Sequence, residues 1–98
     1  MFEGKFVIVR TYSAGVHCGV LTAINGTEVV LTNARRIFQW KADNIKPRTN
    51  TLNEIALRGV SRESRVSQPV DEILVTQAIE VIPCTKEARE NLENSRWS

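Results

Sequence analysis

The dipeptide Asn25-Gly26 stands between two runs rich in β-branched and apolar residues, 16–24 and 27–32. Asn-Gly readily adopts the positive φ angles of a type I′ turn, and the twist of that turn matches the twist of paired strands. Such a dipeptide between strand-like runs is a strong local signal for a tight hairpin. If these two residues form the whole loop, paired positions sum to 51, with His17 opposite Ala34 and Val20 opposite Leu31. One face of the ribbon then carries His17, Gly19, Leu21, Val30 and Ala34. Arg36, Phe38 and Trp40 follow with the same parity, unless a bulge within 32–35 reverses them.

Around this hairpin the rest of the chain can be laid out. Residues 5–12 (KFVIVRTY) alternate in the manner of a strand, and Ser13-Ala14-Gly15 suits a turn. Residues 37–40 continue the strand pattern, and 42–50 form a polar loop around Pro47. Thr51 and Glu54 have the spacing of a capping box, so a short helix is predicted over 52–58, stopped by Gly59. A polar loop is predicted over 61–69. Residues 70–82 read as a long strand with a bulge or bend near Gln77-Ala78, and Pro83 ends it. Thr85 can cap a terminal helix reaching about Asn94, and Trp97 lies in the tail beyond. The expected fold is α+β: one domain over 1–98, with a small antiparallel sheet of about five strands and two short helices.

The 98 residues fit one domain, and a chain this short buries a modest core, which makes oligomerisation a natural way to add buried area. No run approaches the roughly 20 apolar residues of a membrane span, and the N-terminus lacks the apolar core of a signal peptide, so a cytoplasmic location is expected. Cys18 and Cys84 are far apart in sequence and lack metal-ligand spacing, which suits two reduced, partly buried thiols. The net charge of +2 conceals an asymmetry. Residues 1–48 hold seven Lys/Arg against three Asp/Glu, and residues 49–98 hold six against eight. The basic half is suited to an anionic ligand, but it is not the dense basic stripe of a duplex-binding protein.

Little in the sequence points to catalysis. His17 is the single histidine, and its neighbour Cys18 projects to the opposite side of a strand, which disfavours a Cys-His pair. Phosphate loops, dinucleotide-binding loops and metal clusters are absent from the sequence, and Asp71-Glu72 reads as a solvated strand end. No cofactor is expected. The group Arg10, Tyr12, Ser13, His17, Arg35, Arg36 and Trp40 is more suggestive. Guanidinium groups clamp phosphates and flat rings stack on bases, so these residues would suit a nucleotide. The same residues equally suit an ordinary core with solvated arginines.

Four stretches carry a resemblance: 11–19 (TYSAGVHCG), 33–40 (NARRIFQW), 51–56 (TLNEIA) and 70–85. Together they resemble a family of small phage-encoded proteins long described only as a domain of unknown function. Phage proteins of this size include sponges that sequester nucleotide second messengers of bacterial immunity. The resemblance implies an anti-CBASS sponge, a homo-oligomer that buries a cyclic dinucleotide between subunits in the host cytoplasm. It would place the ligand at the 12–17 turn with Arg35, Arg36 and Trp40. This chain departs from the family pattern after Trp40, where the 42–50 segment is longer and carries Lys46 and Arg48. A phage structural or protein-interaction module is the alternative, with the aromatic and arginine strand as its contact surface.

Overall fold

A computed structural model describes residues 1–40 and 51–95. The expectations for the 42–50 loop and for Trp97 lie outside the described residues. Strands β1 (Phe6–Thr11), β2 (Val16–Asn25) and β3 (Glu28–Gln39) form an antiparallel meander. Helix α1 (Leu52–Arg58) follows, then the short β4 (Arg65–Val66), β5 (Val70–Val75), β6 (Ala78–Pro83) and helix α2 (Lys86–Glu93). The strand order is β4-β3-β2-β1-β6, with β5 also pairing β3. The α+β expectation holds, with six antiparallel strands in place of about five. The extra strand arises because 61–69 contains β4 and because the 70–82 run divides at its bend.

This bend determines how the sheet curves. β5 lies outside β3 and β6 lies outside β1, so a flat sheet would set them four strand spacings apart, about 19 Å. Only Thr76 and Gln77 join them, and three Cα steps span at most about 11 Å. The sheet must therefore curl. Two hydrogen bonds fasten the curl: Ala78 N–H donates to Thr27 O at 2.9 Å, and Tyr12 N–H donates to Gln77 O at 3.0 Å. Gln77 takes a left-handed φ of 56°, which sharpens the corner.

Curling gives the sheet two apolar sides. Val7, Val9, Leu21, Val29, Leu31, Ala34 and Val75 pack together inside the curl. Phe6, Ile8, Val16, Cys18 and Ile37 lie on the outer side, beneath Ile55 and Ala56 of α1 and Leu92 of α2. β1 is buried on both sides, which explains its unbroken apolar run Phe6-Val7-Ile8-Val9.

Both predicted helix starts are present. Thr51 Oγ accepts from Glu54 N–H at 3.3 Å, and Thr85 Oγ accepts from Ala88 N–H at 3.1 Å. Thr85 Oγ also donates to Leu57 O at 2.8 Å, which ties the two helices together. Gly59 ends α1 with a φ of 86° and packs against Asn91 of α2.

The hairpin register differs from the expected one. Asn25 pairs with Glu28, so Gly26 and Thr27 are the loop residues; Gly26 has a φ of 61° and Thr27 does not adopt positive φ. Glycine at the first central position is the pattern of a type II′ turn. Two further register shifts, near Gly19 and near Thr22, leave Leu21 opposite Leu31 and Val20 opposite Thr32. His17 then faces Arg36, not Ala34, and Cys18 faces Arg35. A Cβ on Gly19 would stand 2.9 Å from Thr32 O, so the close approach of the strands at the first shift requires glycine.

A candidate binding cleft at the end of the first strand

The turn after β1 is built from its own polar groups. Thr11 Oγ donates to Gly15 O at 2.8 Å and accepts from Ala14 N–H at 2.8 Å. Gly15 adopts a φ of 86°, a conformation in which a side chain is strained. His17 clamps the turn from below, its Nε2 lying 3.0 Å from Ala14 O. A carbonyl only accepts, so Nε2 carries the proton. Burial pushes the His17 pKa below its ordinary value; the neighbouring Arg36 lowers it further, and the bond to Ala14 opposes both. The neutral ring is the form this environment favours.

The sheet divides the seven predicted site residues between its two sides. Arg10 pairs with Val16 and Glu80 on the helix side, and Trp40 packs against the same outer core. His17 and Arg36 pair with each other and His17 also with Val9, which places both on the inner side. Arg10, Tyr12, Ser13 and Trp40 meet at a cleft of about 580 Å3, together with Glu80 and Thr51, Leu52 and Asn53 at the start of α1. Tyr12 is 78% exposed there. The Arg10 guanidinium lies 3.8 Å from the Glu80 carboxylate, and both side chains stay about half exposed. Ser13, Trp40 and Arg36 share a smaller adjoining cleft with Phe38.

Arg35 has a different task. It is buried, and its Nε donates to Ser67 O at 2.7 Å. Nη1 donates to Leu92 O at 2.7 Å and to Glu93 O at 3.2 Å, and Nη2 donates to Ser95 O at 2.5 Å. The guanidinium thus satisfies carbonyls at the C-terminus of α2, where a positive charge is favoured. Arg35 therefore lies apart from the Arg10 and Tyr12 cleft, its guanidinium directed to the helices like its strand partner Cys18, while part of the residue touches a cleft on the inner side with His17 and Arg36.

Glu80 is the charged cleft residue that sequence reasoning missed, along with Thr51, Leu52 and Asn53 at the start of α1. Its position opposite Arg10 depends on β6 joining the sheet beside β1, which no local pattern announces. The two thiols stay unlinked. Cys84 lies next to Phe6 on one side of β1, and Cys18 faces Ile8 from the other. Two strand spacings, about 9.5 Å, exceed the Cα separation a disulfide tolerates. Burial pushes each thiol up to about 12, so neither is a ready nucleophile.

The chain matches the family described as a domain of unknown function, DUF6948, over residues 4–92. It belongs to that family. The match takes in every element from β1 to most of α2, so the cleft is built from family-matched segments. No curated protein matches the chain. Among the described residues, no helix of this family member is long and apolar enough to cross a membrane, and no group of His, Cys, Asp and Glu could hold a metal ion.

Proposed function

We propose that this DUF6948 protein is a binding module that holds a nucleotide-type ligand in the cleft of Arg10, Tyr12, Ser13 and Trp40, without turning it over. The reading is carried by one observation: a guanidinium, a phenol and a hydroxyl from residues 10–13 line the same cleft as the indole of the distant Trp40. Arg10 offers paired donors to a phosphate. The exposed ring of Tyr12 offers a stacking face for a base. Glu80 accepts hydrogen bonds, which suits the amino or imide N–H of a base. Among the described residues, the one carboxylate that lines the cleft, Glu80, faces the Arg10 guanidinium at 3.8 Å.

Within that class, a cyclic dinucleotide is the ligand proposed, in line with the likeness to phage proteins that trap immune messengers. A second copy of the chain would add to the enclosure that the described residues provide, and a two-fold assembly suits a two-fold ligand. Such a protein would act in the cytoplasm of a bacterial host, where these messengers are made. Thermal-shift measurements with cyclic dinucleotides, cyclic trinucleotides and ADP-ribose derivatives test the reading. A micromolar member of the panel should raise the melting temperature, and the ligand should be recovered unchanged after heat denaturation. Tyr12→Ala and Arg10→Gln should each weaken that binding by about tenfold or more. No rise with any nucleotide would favour a protein-interaction module. The exposed apolar side chains Val70, Leu74 and Ile79 on the outer strands β5 and β6 speak for that second reading.

A further inference from the structure

A second cleft lies at the inner side of the sheet, away from Glu80 and Arg10. It encloses about 370 Å3 and is lined by His17, Arg36, Ser67, Gln68, Val70 and Ile73. His17 is 2% exposed, yet only one of its ring nitrogens has a partner among the described residues: Nε2 donates to Ala14 O. In the neutral ring, Nδ1 is left as an acceptor. Arg36 is the cross-strand partner of His17 and its guanidinium makes no ion pair among the described residues. Its backbone is held by Ser67, the N–H donating to Ser67 Oγ at 2.8 Å and the carbonyl accepting from Ser67 N–H at 2.8 Å. Ser67 Oγ in turn donates to Gln68 O at 3.0 Å, so that hydroxyl is already used on the cleft wall. Ala34, Val70 and Ile73 supply the apolar wall, and the part of Arg35 that reaches the cleft belongs to a guanidinium already committed to carbonyls at the end of α2.

A fixed acceptor beside a guanidinium that makes no ion pair among the described residues, with an apolar wall behind, is a two-point recognition site. Its ligand must present an oxyanion to Arg36 and a hydrogen-bond donor to His17 Nδ1. A bare anion supplies the first without the second, and an alcohol the reverse. We propose that the His17–Arg36 cleft is a separate binding site for a hydroxylated phosphate ester, with Arg36 holding the phosphate and His17 Nδ1 accepting from a hydroxyl. The volume suits a monosaccharide phosphate and is small for a dinucleotide.

The single histidine makes the test direct, because one imidazole accounts for all histidine nitrogen signals. Long-range proton–nitrogen spectra of the labelled protein are followed while ribose 5-phosphate is added to millimolar concentration, with sulfate as the anion lacking a donor. Ribose 5-phosphate should shift the Nδ1 resonance in a saturable way, and sulfate should leave it in place. Arg36→Gln, at an exposed position, should weaken the ribose 5-phosphate response by about tenfold. Arg10→Gln, which acts on the other cleft, should leave the response unchanged whether or not that cleft binds a nucleotide. An unmoved Nδ1, or a shift that persists undiminished in the Arg36→Gln protein, would overturn the assignment and leave His17 as a clamp for the turn.

Discussion

At the residue scale, two neighbouring arginines show how position on a strand decides what a charge does. Arg35 and Arg36 are identical in type, but the first is buried with its guanidinium on the carbonyls of α2 and the second stands exposed at the inner cleft that both touch. A two-residue period makes that division inevitable once either direction is known. What the sequence could not supply was the direction, because the shifts near Gly19 and Thr22 alter the pairing on which parity depends. Arg35→Ala should destabilise the fold by roughly 3 kcal/mol, since it strands carbonyls of Leu92, Glu93 and Ser67 without donors. Urea unfolding would measure the loss. His17 gives a pH signature of its own. Its folded pKa is depressed, so the unfolded chain takes up a proton more readily. Stability from this group is present above the ordinary value of 6.5 and is lost as pH falls below it. The urea midpoint should therefore drop between about pH 7.5 and about pH 5, where most carboxylates are still ionised. His17→Gln should flatten that part of the profile.

The elements differ in how openly the sequence announces them. Both helices were legible because capping is local: Thr51 with Glu54, and Thr85 before its apolar residues, fix the starts within four positions. Strands β1, β2, β3, β5 and β6 were legible in their local apolar pattern while β4, read as loop, was not, and the bend near Gln77 showed in the broken order of 70–82. The hairpin turn was legible in kind and wrong in detail, since Gly26 takes the first central position and Asn25 belongs to β2. One residue of displacement there changes every pair. The contact of α1 with α2 rests on a position no local rule weights heavily. Asn91 Oδ1 accepts from Val60 N–H at 2.7 Å, and its Nδ2 donates to Val60 O at 3.0 Å. A Cβ on Gly59 would lie 2.3 Å from Asn91 Cγ, on a backbone already at positive φ. Gly59→Ala should cost about 3 kcal/mol through strain and displacement of Asn91, and the melting temperature would report it.

At the scale of the whole molecule, the candidate cleft exists only because distant segments converge. Arg10 and Tyr12 come from the first strand and the turn that follows it, Trp40 from the end of β3, and Glu80 from the sixth strand. The aromatic and arginine residues could be suspected individually, but the wall supplied by Glu80 and α1 required the topology. The two-residue corner at Thr76-Gln77 closes that topology. Lengthening it with three glycines should loosen β6 from β1 and raise hydrogen exchange at Val9 and Val81 more than at Val29 and Leu31.

Val7 pairs with Pro83, so the first described strand waits for the sixth before its second edge is covered. A ribosome making this protein holds out the edge of a strand with four successive hydrophobic residues until about seventy further residues have been added. Self-association would be most dangerous in that interval, and any nascent chain stalled before β6 would be a sticky product rather than a shorter protein.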